Sequence, residues 1–244
     1  MPLMTQDGWD ASAKAWIAGI QEGGASLWGR KFVTDPAILA RLDGRSFNHA
    51  LDVGCGEGRF CRMLASRGIV TTGIDPTKAL LEEARRRDAA GDYCEGNAEA
   101  LAFADASFDL VVSYLTLIDI PDFRAAIAEM ARVLTPGGTL LVANLQSYVT
   151  PNTQGWIEDA NGALLHWPLD RYLSEAPIWV EWAGIRVVNW HRPLSAYMQA
   201  FLGAGLQLVH FDEPGVTGEG GANAERHRRV PWFLVMEWRK PDAA

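Results

Sequence analysis

Residues 51–60, LDVGCGEGRF, carry a short apolar run directly into three glycines at alternate positions, Gly54, Gly56 and Gly58. The apolar residues at 49–53 suit a strand and those at 59–66 a helix, so the glycines form the turn between the two. Glycine at such a turn lets the backbone bend tightly and approach a ligand where a Cβ would intrude. The spacing is G-x-G-x-G, and Arg59 stands where the dinucleotide fingerprint G-x-G-x-x-G would end on glycine. That departure argues against a nicotinamide dinucleotide.

The same strand–turn–helix rhythm repeats on the C-terminal side. Residues 70–74 read as a second strand, Pro76 and Thr77 open a helix that runs to 87, and 92–95 read as a short third strand. Residues 108–113 are a fourth strand, 122–134 a helix, 135–138 (TPGG) a turn and 139–145 a fifth strand. Short apolar strands alternating with helices predict an α/β fold, a mostly parallel sheet covered by helices on both faces. Residues 194–204 are a further helix ended by Gly205, 206–211 a strand, 214–224 a flexible glycine-rich loop, and 230–238 a last apolar run. A glycine-rich loop between two strands suits an antiparallel pair at the sheet edge, and Pro231 suits the start of a strand better than its centre.

Two segments lie outside this rhythm. Residues 1–47 form a helical extension, with apolar side chains at helical spacing over 9–20. Residues 146–192 hold Trp156, Trp167, Trp179, Trp182 and Trp190, half of the ten tryptophans in the chain, and show no clean period. This segment is expected to be an insertion in a single domain spanning 1–244. It either forms a lid or wall for an apolar acceptor or pins an irregular stretch to the surface.

Composition narrows the function. The formal net charge of −8 weighs against a nucleic-acid partner, since proteins that neutralise phosphates are usually basic. The short basic clusters 85–87 and 226–229 read as solvated faces. No run of 18 apolar residues occurs, so no membrane span is expected. The first residues lack a basic and apolar leader pattern, and Cys55, Cys61 and Cys94 are scattered without zinc spacing. Free thiols in a reducing, cytoplasmic setting are the expectation, with no metal site. No feature of the sequence sets an oligomeric state.

Asp75 ends the second strand, 21 positions beyond Gly54. In an open α/β sheet this places a carboxylate beside the first turn, able to accept from ribose hydroxyls; a cap on the following helix is the alternative. Asp52 reads as a ligand contact or as an anchor for the amides of the turn.

With these motifs in order, the chain resembles the class I S-adenosylmethionine-dependent methyltransferases, in their small-molecule type 11 or ubiquinone-biosynthesis-like branch, closely over about 48–145. LDVGCGEGRF is similar to the first motif of that family, and the resemblance implies that the backbone at Gly54, Cys55 and Gly56 lies against the methionine part of the cofactor. TTGIDPT (71–77) is similar to the second, which implies ribose contacts at Asp75 and Pro76. EGNAEALAFADASFDLV (95–111) resembles the stretch after the third strand, where Asn97, Ala98 and Glu99 would surround the adenine edge. Asparagine replaces the aspartate common at position 97, yet its amide still offers an acceptor carbonyl. Ser113 and Tyr114 match residues that face the sulfonium, and RVLTPGGTLLV (132–142) resembles the link into the fifth strand. The family further implies seven strands, the last inserted antiparallel.

Methyl transfer from an activated donor needs chiefly alignment and exclusion of water, with a base for a phenol or alcohol. His191 in NWHRPLSAY (189–197) resembles a histidine of close relatives and is the first candidate for that base; a structural histidine between insertion and core is the alternative. His166, Tyr148, Asp119 and Tyr114 follow it. Arg30 is a candidate for the cofactor carboxylate or a substrate anion, or else a surface ion pair, and Trp16 and Trp28 approach the pocket if the N-terminal helix closes over it. The expected function is methyl transfer from S-adenosylmethionine to a small, largely apolar or aromatic molecule, on oxygen. A non-catalytic protein that binds S-adenosylmethionine or S-adenosylhomocysteine as a regulator or partner is the alternative from another class.

Overall fold

Residues 7–21, 25–218 and 221–242 are described in a computed structural model of the chain. The chain opens with α1 (Trp9–Gln21), α2 (Ala25–Gly29), a π-helical turn (Arg30–Thr34) and α3 (Asp35–Ala40). Strand β1 (His49–Val53) passes through the glycine turn into α4 (Arg59–Ala65), then β2 (Val70–Asp75), α5 (Lys78–Arg87) and β3 (Asp92–Glu95). Next come β4 (Phe108–Tyr114), α6 (Phe123–Val133) and β5 (Leu134–Leu145). The C-terminal part holds β6 (Ile157–Glu158), β7 (Leu164–His166), β8 (Ala176–Trp182), β9 (Ile185–His191), α7 (Leu194–Gly203), β10 (Gln207–Asp212), α8 (Gly221–Arg229) and β11 (Phe233–Arg239).

The main sheet has seven strands in the order β10-β11-β5-β4-β1-β2-β3. The pairs β1–β2, β1–β4, β2–β3 and β4–β5 are parallel, while β11 is antiparallel to both β5 and β10. This is the expected Rossmann-like sheet, with its last strand inserted antiparallel and an edge pair at the C-terminal end. Strand periodicity divides the core in two. Leu51, Val53, Val111, Leu140, Val142 and Met236 face α6 and α7, whereas Ala50, Leu110, Val112, Leu141, Ala143 and Val235 face α3 and α4. Helix α6 shows why such a segment is helical: Phe123, Ala126, Ile127, Met130 and Ala131 recur on one buried stripe, and the Asp122 carboxylate caps the first turn by accepting from the Ala125 amide at 3.0 Å.

Three expectations are corrected. Residues 135–138 are a turn carried within β5 and not a link before it. The ladder to β4 skips them, with Phe108 opposite Leu134 and Leu110 opposite Thr139, while the Gly137 amide donates to the Lys240 carbonyl and the Lys240 amide to that of Gly138. Of the loop expected at 214–224, residues 221–224 begin α8, which buried Ala224 and His227 hold to the body; residues 219 and 220 lie outside the described residues. The last strand accordingly starts at Phe233 instead of 230. The segment 146–192 is also more regular than its sequence suggests, since it folds into two antiparallel hairpins, β6–β7 and β8–β9. Ala183 and Gly184 join the second hairpin at φ of +45° and +79°, the left-handed pair that a two-residue connection requires. Ile185 and Val187 of this hairpin pack with Ala13 and Trp16 of α1 and Leu80 of α5. The Ser12 hydroxyl donates to the Arg186 carbonyl and accepts from its amide, which pins α1 to the hairpin.

Candidate active site

Parallel strands point their carboxyl ends at one side of the sheet, and a cleft of about 920 Å³ opens there between the ends of β1, β2 and β4 and helix α1. Its floor is the glycine turn. Gly54 lies at φ +75°, and a Cβ on it would fall 2.1 Å from Thr116 Cγ2, so the residue admits only glycine. Gly56, at φ +55°, faces open space instead. The Gly54 and Cys55 amides donate to the Ile74 carbonyl at 2.8 and 3.0 Å, which ties the turn to β2.

Asp75 is buried at the end of β2, with one oxygen accepting from the Gly56 amide at 2.9 Å and the other from the Thr77 amide at 2.8 Å. Burial pushes its carboxyl up, and these two amides pull it back. Asp75 is therefore the anchor of the turn, a role for which Asp52 is the other candidate in the sequence, while Thr77 is the N-cap residue of α5, which has no side-chain cap. Asp52 accepts instead from the Cys61 thiol, leaves Oδ1 buried without a partner, and is pushed up to about 7 by burial. Pro76, Asn97, Ala98 and Glu99 complete this half of the cleft.

Helix α1 supplies the opposite wall through Trp9, Trp16 and Ile20. The Trp16 indole N–H donates to Glu57 Oε2 at 3.3 Å, which locks the helix onto the glycine turn. The Arg30 guanidinium lies 5.1 Å from the ring centroids of both Trp16 and Tyr114. Tyr114 presents its ring to the cleft, because its hydroxyl points backwards, donating to Asp35 Oδ1 at 2.7 Å and sharing a proton contact with Thr34. Arg59 pairs with the same Asp35 carboxylate.

At the far end, the loop after β4 brings Leu115, Thr116, Asp119, Ile120 and Pro121 to the cleft. Asp119 accepts from Asn189 Nδ2 of β9 at 2.6 Å, and burial holds its carboxyl well above the usual range. Beneath the loop, Arg192 is almost fully buried and donates to the carbonyls of Leu117, Ile120 and Pro121.

The structure thus brings Arg30, Asp52, Gly54, Cys55, Gly56, Asp75, Pro76, Asn97, Ala98, Glu99 and Tyr114 together around one cleft. It does not bring Ser113 or His191 there. Ser113 is fully buried inside the sheet, paired in register with Val53 and Val142. His191 is 1% exposed, and both ring nitrogens are engaged, Nδ1 with the Thr150 hydroxyl at 2.7 Å and Nε2 with the Tyr172 carbonyl at 2.8 Å. Tyr148 donates to the Pro231 carbonyl, His166 is exposed on β7, and Trp28 packs by Phe32 and His227, all away from the cleft. Among the described residues, none of 146–192 lines it; the insertion reaches it through Asn189 and through α1. Sequence reasoning missed Glu57 and Arg192. The first sat unremarked inside the glycine motif, and the second was overshadowed by the histidine beside it.

Comparison with known proteins agrees with this architecture. The model of a family described as a methyltransferase domain matches residues 51–142. A malonyl-(acyl-carrier protein) O-methyltransferase from Enterobacter lignolyticus is 38% identical over 219 residues, covering 85% of this chain and 81% of that protein. The O-methyltransferase resE from Aspergillus sclerotiorum is 39% identical over 115 residues, 44% of each protein. Among solved structures, an S-adenosylmethionine-dependent methyltransferase from Mesorhizobium loti superposes with a TM-score of 0.75 at 29% identity, covering 84% of this chain and 96% of that one.

Proposed function

Since this chain belongs to the class I S-adenosylmethionine-dependent methyltransferases, in the methyltransferase domain family matched over 51–142, we propose that it methylates a small, largely apolar or aromatic acceptor on oxygen. S-adenosylmethionine is its cofactor and supplies an electrophilic methyl group on a sulfonium. The remaining chemistry is positioning.

We assign the cofactor half of the cleft by the chemistry of its donors. Gly56 leaves a cradle that a Cβ would fill. The orphaned Oδ1 of Asp52 suits the methionine ammonium, and Arg30, the guanidinium over Trp16 and Tyr114, suits its carboxylate. Asp75 retains lone pairs for the ribose diol beyond those taken by two amides. Asn97, Ala98 and Glu99 border the adenine. The tryptophan-rich segment 146–192 acts as a wall at second hand, by holding α1 over the cleft.

The observation that carries the acceptor class is the apolar lining away from the glycine turn, where Trp9 of α1 joins Leu115, Ile120 and Pro121 of the loop that carries Asp119. Apolar walls with few polar groups select apolar ligands and orient them. Relatives bearing O-methyltransferase names support oxygen as the methylated atom. Incubation with S-adenosylmethionine and a panel of phenols and lipid-like hydroxy compounds should yield products one methyl group heavier. Folded protein that binds the cofactor yet methylates only amines or thiols would refute the oxygen assignment.

A further inference from the structure

We propose that Asp119 is the base on the acceptor side of this reaction, taking the proton of an acceptor hydroxyl, and that Asn189 is its positioning residue. The inference rests on the oxygen-acceptor reading above.

The geometry singles out this carboxylate. Asp119 stands at the apolar end of the cleft, on the loop whose Thr116 covers Gly54, beside the glycine turn. The loop is built to hold it still: Arg192 spends its donors on three of the loop carbonyls, the Trp190 amide donates to the Ile118 carbonyl, and the Asp119 amide donates to that of Thr116 at 2.8 Å. One carboxylate oxygen is fixed by Asn189 Nδ2. A base needs this combination of rigidity and a free lone pair. Other groups near the cleft are engaged or exposed: His191 uses both nitrogens inside the insertion, the Tyr114 hydroxyl faces Asp35, Asp75 holds two amides, Asp7 accepts from the Trp9 amide, and Asp10 is exposed.

The charged and titratable groups around Asp119 are Asp7 ahead of α1, Asp75 at the end of β2, Tyr197 of α7 and, below the loop, Arg192 with its donors turned to carbonyls. Burial is the first cause raising the Asp119 carboxyl, the Asp7 and Asp75 charges add to it, and the bonds from Asn189 and Trp9 oppose it. The result is a carboxylate more basic than an exposed one. In the step, the acceptor O–H bond breaks with its proton passing to Asp119, an oxygen lone pair forms the new O–CH₃ bond, and the S–CH₃ pair departs onto sulfur. The proton leaves to solvent after product release.

Two phenols test this: 4-methoxyphenol, un-ionised at pH 8, and 4-nitrophenol, largely ionised there. Asp119→Asn is expected to lower kcat/KM for 4-methoxyphenol by roughly 10²–10⁴-fold and to leave 4-nitrophenol near wild type. Asn189→Leu, by removing a bond that favours the charged form, should move the acid limb of the pH profile to higher pH. Equal losses on both phenols, or an unmoved limb, would overturn the assignment. A readout without turnover is calorimetric titration of 4-methoxyphenol into protein saturated with S-adenosylhomocysteine, where Asp119→Ala should weaken binding. Phenol binding that D119A leaves unchanged overturns the role of Asp119 alone. Wild-type protein that binds S-adenosylhomocysteine but neither phenol overturns the aromatic-acceptor reading, and the proposal with it.

Discussion

Gly54 and Gly56 belong to one motif but answer to different constraints. At Gly54 both the positive φ and the side chain of Thr116 forbid a Cβ, so Gly54→Ala should destabilise the fold and abolish cofactor binding together. At Gly56 an added methyl meets open space. Gly56→Ala should therefore keep most of the thermal stability, less about 1 kcal/mol for the left-handed backbone, while weakening S-adenosylmethionine binding in calorimetry. Equal losses of stability in the two variants would contradict the distinction. Asp52 gives a prediction in pH. Burial lifts its folded-state value to about 7 from an ordinary 3.8, so between those values the folded protein holds a proton that the unfolded chain has released. Its favourable contribution is full below the unfolded value and is lost as pH rises through 7, an effect on the order of a few kcal/mol. In the ligand-free protein, the Tm of wild type relative to Asp52→Asn should fall from pH 4 to 7 and then level off. A flat difference would mean that the carboxyl is solvated. At this scale the sequence shows where a residue sits when the local turn fixes it, as with Gly54 within the turn and Asp75 beside it. It misplaces Ser113 and His191 because strand register and a hydrogen bond with Thr150, 41 positions away, decide where those side chains point.

Helix α1 has 13 residues, too few to be stable alone, so its position over the cleft depends on what packs behind it. That support is β8–β9, through Ile185, Val187 and the paired bonds between Ser12 and Arg186. Ile185→Ala should cost about 2–5 kcal/mol of local packing. The loss should appear as faster amide exchange over 9–21, with β1, β4 and β5 still protected, and as weaker cofactor binding because Trp16 no longer sits on Glu57. Exchange that rises evenly across the sheet would show that the hairpin supports the whole fold and not the helix. Strands β1, β4 and β5 are legible because each carries a buried apolar run, and β2 because its buried end runs into Asp75 and Pro76; β3, with only Tyr93 buried, is legible chiefly from its place in the rhythm. The hairpin β8–β9 is not, since tryptophans stand on both its inner and its exposed face (Trp182 and Trp179) and blur the alternation that Ile178, Val180, Ile185 and Val187 carry; the Ala183-Gly184 pair is the clearest signal. Helix α8 was hidden similarly, its composition polar and its start glycine-rich, and only Ala224 and His227 reach the interior.

Taken whole, the molecule is a stiff sheet carrying a binding surface assembled from parts far apart in sequence. The floor comes from residues 52–57 and 75–76, one rim from 95–100, the far end from 115–121, and the covering wall from α1, itself held by residues beyond 180. A ligand that bridges these parts binds the folded state and has nothing comparable to bind in the unfolded chain. It must then stabilise by mass action, about 2.7 kcal/mol at a hundredfold excess over Kd. For a chain of this length that is a rise of roughly 5–10 °C in Tm. S-adenosylmethionine and S-adenosylhomocysteine should both produce it, since they share the adenosyl and amino-acid groups that the floor and rim address. NADH should not, because Arg59 occupies the place where a dinucleotide fingerprint needs glycine, and its guanidinium is committed to Asp35. Amide exchange should locate the gain: with S-adenosylhomocysteine bound, protection should increase over 52–57, over 95–100 and over α1, while β10, at the far edge of the sheet, stays unchanged. A Tm rise without new protection in α1 would leave the floor assignments standing and remove the helix from the site.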